Sequence, residues 1–508
     1  MSNKEQFTAK VSEGYSFKGD SFILGAAMLD KEALPGVTVS VPLKTMNRHG
    51  LISGATGTGK TKTLQNIVER LSDNGISVLL MDVKGDLSGL AQPGAENEKI
   101  KERHDLIGVP WKASSYPVEM FTLSEQNGVR LRATVSEFGP VLLSKILGLN
   151  DNQAGVVSLV FKYCDDNGLL LLDIKDFKKA LHYLTNDGKD EIKEHYGAIS
   201  TSTASVILRK LIEIEEQGSE LFFGELSFEV EDLIRIDENG RGYVNIIRLN
   251  DIQDRPKMFS TFMLSLLGEI YEKFPEKGDT DRPELVIFID EAHLIFDEAS
   301  KALLEHLENI IKLIRSKGIG IFFCTQLPTD VPPEVLSQLG LKIQHALRAF
   351  TANDRKAIKS ASENYPDSEF YEVDKLITEM GIGEAFVTAL NEKGIPTPLV
   401  HVLLTAPSSR MDVLTPQELD EIISKSNLLN KYSETIDRES AYELLTKKVE
   451  QKAVEQKQEE LKKAEEKKTA SKKPEPTIID KASKNPLVKT AVREISRGIF
   501  GAIKKALR

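Results

Sequence analysis

The sequence predicts an α/β fold: a parallel β-sheet with helices on both faces, a mainly helical insertion, and a charged helical C-terminal tail. Three observations lead there. Apolar runs at 285–290 and 320–325 do not alternate with polar residues, as suits strands covered on both faces. The segment Gly54-Ala55-Thr56-Gly57-Thr58-Gly59-Lys60-Thr61 fits G-x-x-x-x-G-K-[ST] and joins an apolar strand to a helical pattern. An acidic pair, Asp290-Glu291, ends one of the apolar runs.

The elements follow in order. Residues 1–45 form a short β-rich segment, in which Val37-Thr38-Val39-Ser40-Val41 alternates like a half-buried strand before Pro42 interrupts it. Residues 46–136 are the first part of the core. They contain the strand Leu51-Ile52-Ser53, a helix from Lys60 to Leu71, the turn Asn74-Gly75, and a strand from Ser77 to Asp82. Across 137–240 the pattern becomes helical. Leu142, Leu143, Ile146 and Leu147, then Val156, Val160 and Phe161, recur at helical spacing, with Gly155, Gly168 and Gly197 as punctuation. Residues 241–405 are the second part of the core, with strands at 243–247, 285–290 and 320–325.

A helical extension covers 406–444, followed by a charged linker and a basic amphipathic helix across 445–508. Residues 445–474 are dense in Lys, Glu and Gln and read as a solvated helix or a disordered tether. Beyond Pro474 and Pro476, Val488, Val492, Ile495, Ile499 and Ile503 share one helical stripe, flanked by Lys489, Arg493, Arg497, Lys504, Lys505 and Arg508. Such a helix suits docking on its own core, a protein partner, an anionic membrane surface or nucleic acid.

Composition narrows the function classes. The chain has 508 residues, of which 40% are hydrophobic and 28% charged, ordinary for a protein with a sizeable core. Cys164 and Cys324 stand far apart and match no metal-ligand spacing, which argues against a disulfide scaffold or a zinc site and fits a reducing compartment. The opening MSNKEQFTAK has no apolar leader, and no run nears the roughly 20 apolar residues that span a bilayer. The expected location is the cytoplasm, without a transmembrane segment. A formal net charge of −11 confines any nucleic-acid site to a local basic patch, or to one assembled in an oligomer.

The chemistry resides in the loop and in the acidic pair. Glycines let a loop wrap phosphates, so that backbone N–H groups and a helix N-terminus face the anion. Lys60 is expected to reach the β- and γ-phosphates of ATP, and the hydroxyl of Thr61 to coordinate Mg²⁺. Asp290, at a strand's C-terminal end, is placed to bind Mg²⁺ through water, as a Walker B aspartate does. Glu291 beside it can accept a proton from the attacking water or orient it, which favours hydrolysis over transfer to a small acceptor. His293 reads as structural. Gln326, after the next strand, suits sensing the γ-phosphate or holding the lytic water; the alternative is capping the loop before Pro328. Arg315 and Arg348 are candidates for a charge-stabilising finger, or else surface or salt-bridging arginines.

Several segments together resemble the HerA–FtsK superfamily of ring-forming ATPases, and more narrowly the YjgR-like branch of bacterial HerA-like proteins. They are Asn47-Arg48-His49-Gly50-Leu51-Ile52-Ser53-Gly54, Asp82-Val83-Lys84-Gly85-Asp86-Leu87-Ser88-Gly89-Leu90 and Phe288-Ile289-Asp290-Glu291-Ala292-His293-Leu294. Ile314-Arg315-Ser316-Lys317-Gly318, Thr325-Gln326 and Gln344-His345-Ala346-Leu347-Arg348-Ala349-Phe350 complete the set, so the likeness runs from about 45 to 405. The resemblance implies a RecA-like P-loop core with an additional strand and a homo-oligomeric ring, a hexamer. It also implies ATP hydrolysis coupled to moving DNA or protein through a pore. By position, Lys60, Thr61, Asp290, Glu291 and Gln326 correspond to the superfamily's nucleotide-site residues, and Asp82 to an acidic position near that site. HerA itself joins a β-barrel to its motor; about 45 residues precede the core here. That departure leaves barrel-mediated docking onto a nuclease partner in doubt.

Asp-Glu-Ala-His also marks two-domain helicases of the DEAH type, which need a second RecA-like domain after that box. About 215 residues follow His293, and about a third of them form the charged tail, so that architecture does not fit. Two functions of different classes remain. One is an ATP-driven motor on double-stranded DNA, a translocase or helicase-like ATPase. The other is a motor or nucleotide-controlled scaffold acting on a protein partner through the C-terminal helix. A nucleotide switch with negligible turnover is disfavoured by Glu291.

Overall fold

The computed structural model describes residues 2–470, except 219–220, 253–254, 279, 297–300, 350, 434–435 and 437. The basic amphipathic stretch beyond Pro474 lies outside the described residues. Among the described residues, twelve strands form one sheet. The first six are β1 (Ser21–Leu29), β2 (Glu32–Pro42), β3 (Gly50–Ser53), β4 (Ser77–Asp82), β5 (Val118–Thr122) and β6 (Val129–Arg130). The others are β7 (Val244–Arg248), β8 (Leu285–Ile289), β9 (Ile319–Thr325), β10 (Leu341–His345), β11 (Glu384–Thr388) and β12 (Val400–Leu404). Their spatial order is β2-β1-β12-β11-β10-β3-β9-β8-β4-β7-β5-β6.

From β10 to β6 every pairing is parallel. Strand β9 stands between β3, which feeds the glycine-rich loop, and β8, which leads into Asp290. It is the additional strand that the resemblance implies. All residues of β3, β4, β8 and β9 are buried, which explains their unbroken apolar runs. On one face Val78, Leu80, Val286, Phe288, Phe322 and Ile343 join Leu64, Ile67 and Leu71 of the helix Lys60–Asp73 in one core. Phe288 and Phe322 are directly opposite each other in register, with ring centroids 5.0 Å apart, and this cross-strand pair pins β8 to β9.

From β2 to β10 the pairings are antiparallel. The first 45 residues thus extend the core sheet, because β1 pairs β12. A helix, Asn3–Gly14, precedes that hairpin; Ser2 and Glu5 form its capping box. Its few apolar residues, Phe7 and Val11, are buried against the hairpin and its neighbours.

The insertion holds helices Val135–Ile146, Asp151–Asp166, Ile174–Thr185, Lys189–His195 and Thr201–Glu215. Thr134, Asn150, Asp173 and Ser200 cap four of these with side-chain oxygens. Gly168 and Gly197 follow helix ends, but Gly155 lies inside the helix Asp151–Asp166 and does not punctuate it. Surrounding positions such as Val157, Val160 and Phe161 bury enough apolar surface to carry a glycine there. Helices Pro416–Ser424 and Asn427–Ser433 follow the sheet, and Ala441–Ala470 is a continuous helix rather than a tether. By internal contacts the chain forms two units, Met1–Thr446 and Lys447–Arg508; the sheet and the insertion belong to the first.

Candidate nucleotide site

Parallel strands bring their C-terminal ends to one edge of the sheet, where the loop after β3 meets the ends of β4, β8, β9 and β10. The loop is anchored at its base. Gly54 N donates to the carbonyls of Gln326 (3.1 Å) and Thr325 (3.3 Å), and Ala55 N to that of Ala346 (2.8 Å). Within the loop, Thr58 N also donates, to the carbonyl of Ala55 (3.4 Å). Gly54 has φ +150°, and a Cβ there would lie 2.5 Å from the Cβ of His345, so only glycine fits. His345 is fully buried under the loop, with Nε2 2.9 Å from the hydroxyl of Thr63. Burial and the Lys60 cation push its pKa down to about 3, so the imidazole is neutral. It appeared in the sequence only as part of a family-like segment; its role under the loop carried no local signal.

Lys60, only 8% exposed, folds back on the loop and donates to the carbonyls of Gly54 (2.6 Å) and Ala55 (3.1 Å). Burial and the neighbouring Lys84 lower its pKa, opposed by Glu291 and Asp290. Thr61 follows in the first turn of the helix. Asp290 is 5% exposed, and its Oδ2 has no hydrogen-bond partner among the described residues. Burial raises its carboxyl to about 7, with Lys84 opposing and Glu291 adding to the rise. An orphaned, buried carboxylate oxygen is costly unless a cation compensates it, so Asp290 with the Thr61 hydroxyl fits a Mg²⁺ ion carried by a nucleotide.

Glu291 is 7% exposed and sits in the left-handed region, φ +48°, unusual for a residue with a Cβ. Its Oε1 is in ion-pair contact with Nζ of Lys84. Its Oε2 lies 3.2 Å from Nδ1 of His293 without forming a hydrogen bond. Asp82 is engaged by the turn that follows it. Its Oδ1 accepts from the amides of Gly85 (2.7 Å) and Asp86 (3.2 Å), and its Oδ2 from Leu87 (3.1 Å). Burial nevertheless lifts its carboxyl to about 6. Asp82 therefore shapes the turn that carries Lys84, with Gly85 at φ +77° making the bend.

Gln326 is exposed at the end of β9, at the same edge. Arg348 follows β10 at that edge, and its guanidinium donates to the carbonyls of Thr378 (2.7 Å) and Met380 (3.3 Å) of its own chain. Arg315 is not brought to the site. It precedes β9, on the opposite edge of the sheet, near His49. The length of β9, roughly 20 Å, separates it from Gln326.

The comparisons with known proteins agree with this architecture. The family described as Helicase HerA-like C-terminal matches residues 28–507. A probable helicase of Methanocaldococcus jannaschii is 25% identical over 350 residues, covering 68% of this chain and 60% of that protein. The DNA double-strand break repair helicase HerA of Sulfurisphaera tokodaii is 23% identical over 383 residues, covering 72% of this chain and 67% of its own. The chain thus aligns with about 60–67% of the length of these curated relatives. Among solved structures, the plasmid coupling protein TrwB in complex with a non-hydrolysable GTP analogue has the same fold. Its TM-score is 0.50 at 14% identity, covering 78% of this chain and 99% of that one. With its glycine-rich loop, its additional strand and a match spanning residues 28–507, this chain belongs to the HerA-like helicase C-terminal family.

Proposed function

We propose that this protein is an oligomeric, Mg²⁺-dependent ATPase that couples hydrolysis to movement along double-stranded DNA. One observation carries the reading: Lys60, Asp290 with its orphaned oxygen, and Glu291 converge at one sheet edge. Amides of the loop between Thr56 and Thr61, with the Lys60 ammonium, would hold the β- and γ-phosphates. Thr61 and Asp290 would hold Mg²⁺, whose chemistry is to neutralise charge on the phosphate oxygens. Glu291 takes a proton from water as the water oxygen bonds to the γ-phosphorus; the bond from that phosphorus to the bridging oxygen breaks, and ADP leaves. Gln326, whose backbone carbonyl accepts from the Gly54 amide, would orient that water. Arg348 is the candidate finger at the nucleotide edge, at the cost of exchanging its carbonyl partners. Arg315 would serve only a neighbouring subunit's site.

The family supports an ATPase and DNA as substrate, and its relatives named as DNA repair helicases support the same. Location in the cytoplasm and ring assembly are part of this reading. Among the described residues no helix is long and apolar enough to cross a membrane. The test is ATPase rate against protein concentration, with and without duplex DNA, across a salt series. We expect turnover to rise with concentration and with DNA; a rate that DNA leaves unchanged at every salt concentration refutes the DNA motor.

The net charge of −11 favours a second reading, a motor or nucleotide-controlled scaffold on a protein partner. Deleting residues 476–508 should then abolish partner capture and spare ATPase activity. Capture unaltered by the deletion rules this reading out.

A further inference from the structure

Lys84 has no place in the nucleotide chemistry derived so far, yet its ammonium is in contact with the carboxylate proposed to activate water. The contact is built. Asp82 takes the three amides of Gly85, Asp86 and Leu87, and the resulting turn aims the preceding lysine across the ends of β4 and β8. The Lys84 side chain is 40% exposed and that of Glu291 only 9%, so the lysine is the partner with room to move.

Its surroundings are lopsided. Lys84 and Lys60 are close enough to repel each other, and Lys60 is the lysine of the phosphate loop. Glu291 and Asp290 offset both cations. A γ-phosphate entering beside Lys60 brings more negative charge than the single carboxylate of Glu291 and competes with it for the Lys84 ammonium. ADP has no such group. While Lys84 holds Glu291, that carboxylate's Oε1 is occupied and is a poor acceptor for a proton from water.

We propose that Lys84 senses the nucleotide state: it pairs with Glu291 when no γ-phosphate is present and moves to the γ-phosphate of ATP, releasing Glu291 to the attacking water. The inference rests on the ATPase reading above. It makes Lys84 a γ-phosphate contact and the left-handed Glu291 the element it holds in reserve.

The experiment uses the full-length chain with Lys84→Met and Lys84→Arg, and measures affinity for a non-hydrolysable ATP analogue and for ADP, together with turnover. For Lys84→Met we expect affinity for the analogue to fall about tenfold or more, the loss of one charge-assisted hydrogen bond. ADP affinity should stay within about twofold of wild type, which also shows that the variant is folded. Turnover should fall on the order of 10²-fold, and Lys84→Arg should restore the preference for the analogue. A purely structural lysine would lower both affinities together. An analogue-to-ADP affinity ratio equal to that of wild type overturns the proposal. A wild-type chain that binds both nucleotides but releases no phosphate overturns the hydrolytic reading instead, while the ratio still judges the Lys84 contact.

Discussion

Replacing Glu291 by Gln keeps the side-chain volume and removes one charge at a site only 7% exposed. Two effects follow, and they separate cleanly. As a general base the carboxylate contributes on the order of 10²–10⁴ to the rate. At 1.36 kcal/mol per tenfold, that is about 3–5 kcal/mol of barrier. The fold should hardly notice. Losing the contact with Lys84 removes some attraction, but it also removes a buried charge, and the lysine returns to water from a half-open position. The net change in stability is therefore below about 1 kcal/mol. Phosphate release under single-turnover conditions, beside equilibrium binding of labelled ATP and a thermal melt, reads all three quantities. Turnover should collapse while ATP binding and melting temperature hold. If Glu291→Gln retains turnover within about threefold of wild type, the assignment of Glu291 as the base is wrong.

Three further outcomes can be checked. Asp290 has its carboxyl raised to about 7 by burial, so between about pH 4 and about pH 7 the folded chain keeps a proton that the unfolded chain has lost; stability falls as pH rises through that window. Thermal melts without nucleotide should show wild type losing stability from about pH 4 to about pH 7, and Asp290→Asn losing less while turnover disappears. Gly54→Ala forces a Cβ to 2.5 Å from that of His345 at φ +150°, and should cost about 2 kcal/mol or more in a denaturant titration, with ATP binding weakened in parallel. Asp82→Ala leaves the amides of Gly85, Asp86 and Leu87 without their acceptor; we expect a loss of about 1–3 kcal/mol in the same titration and a fall in turnover through Lys84.

Much of the site was legible because its signals are local. Eight consecutive residues, Gly54 to Thr61, encode a loop between strand and helix, and the run from Leu285 to Asp290 encodes a buried strand with an acid at its end. Neither needs a distant partner to be recognised. The strands β10, β11 and β12 carry no such marker, since no glycine-rich phosphate loop or acidic pair ends them. The helix Asn3–Gly14 leaves as little trace in the sequence: its few apolar residues, Phe7 and Val11 among them, make too faint a stripe.

A glycine-rich phosphate loop, an acidic pair after a buried strand, and a parallel core can all be read from the order of residues. Tertiary structure alone decided what those parts face. The β3-β9-β8 order joins strands more than 200 residues apart, and no periodicity reports which strand lies beside which. That order puts Gln326 at the loop and sends Arg315 to the far edge, although both flank the same strand. It also closes Lys84 onto Glu291 across the ends of β4 and β8, a contact between charges 207 positions apart. Local patterns record which residues a strand buries; the meeting of two charges depends on strand pairing, which is set by the packing of the whole sheet.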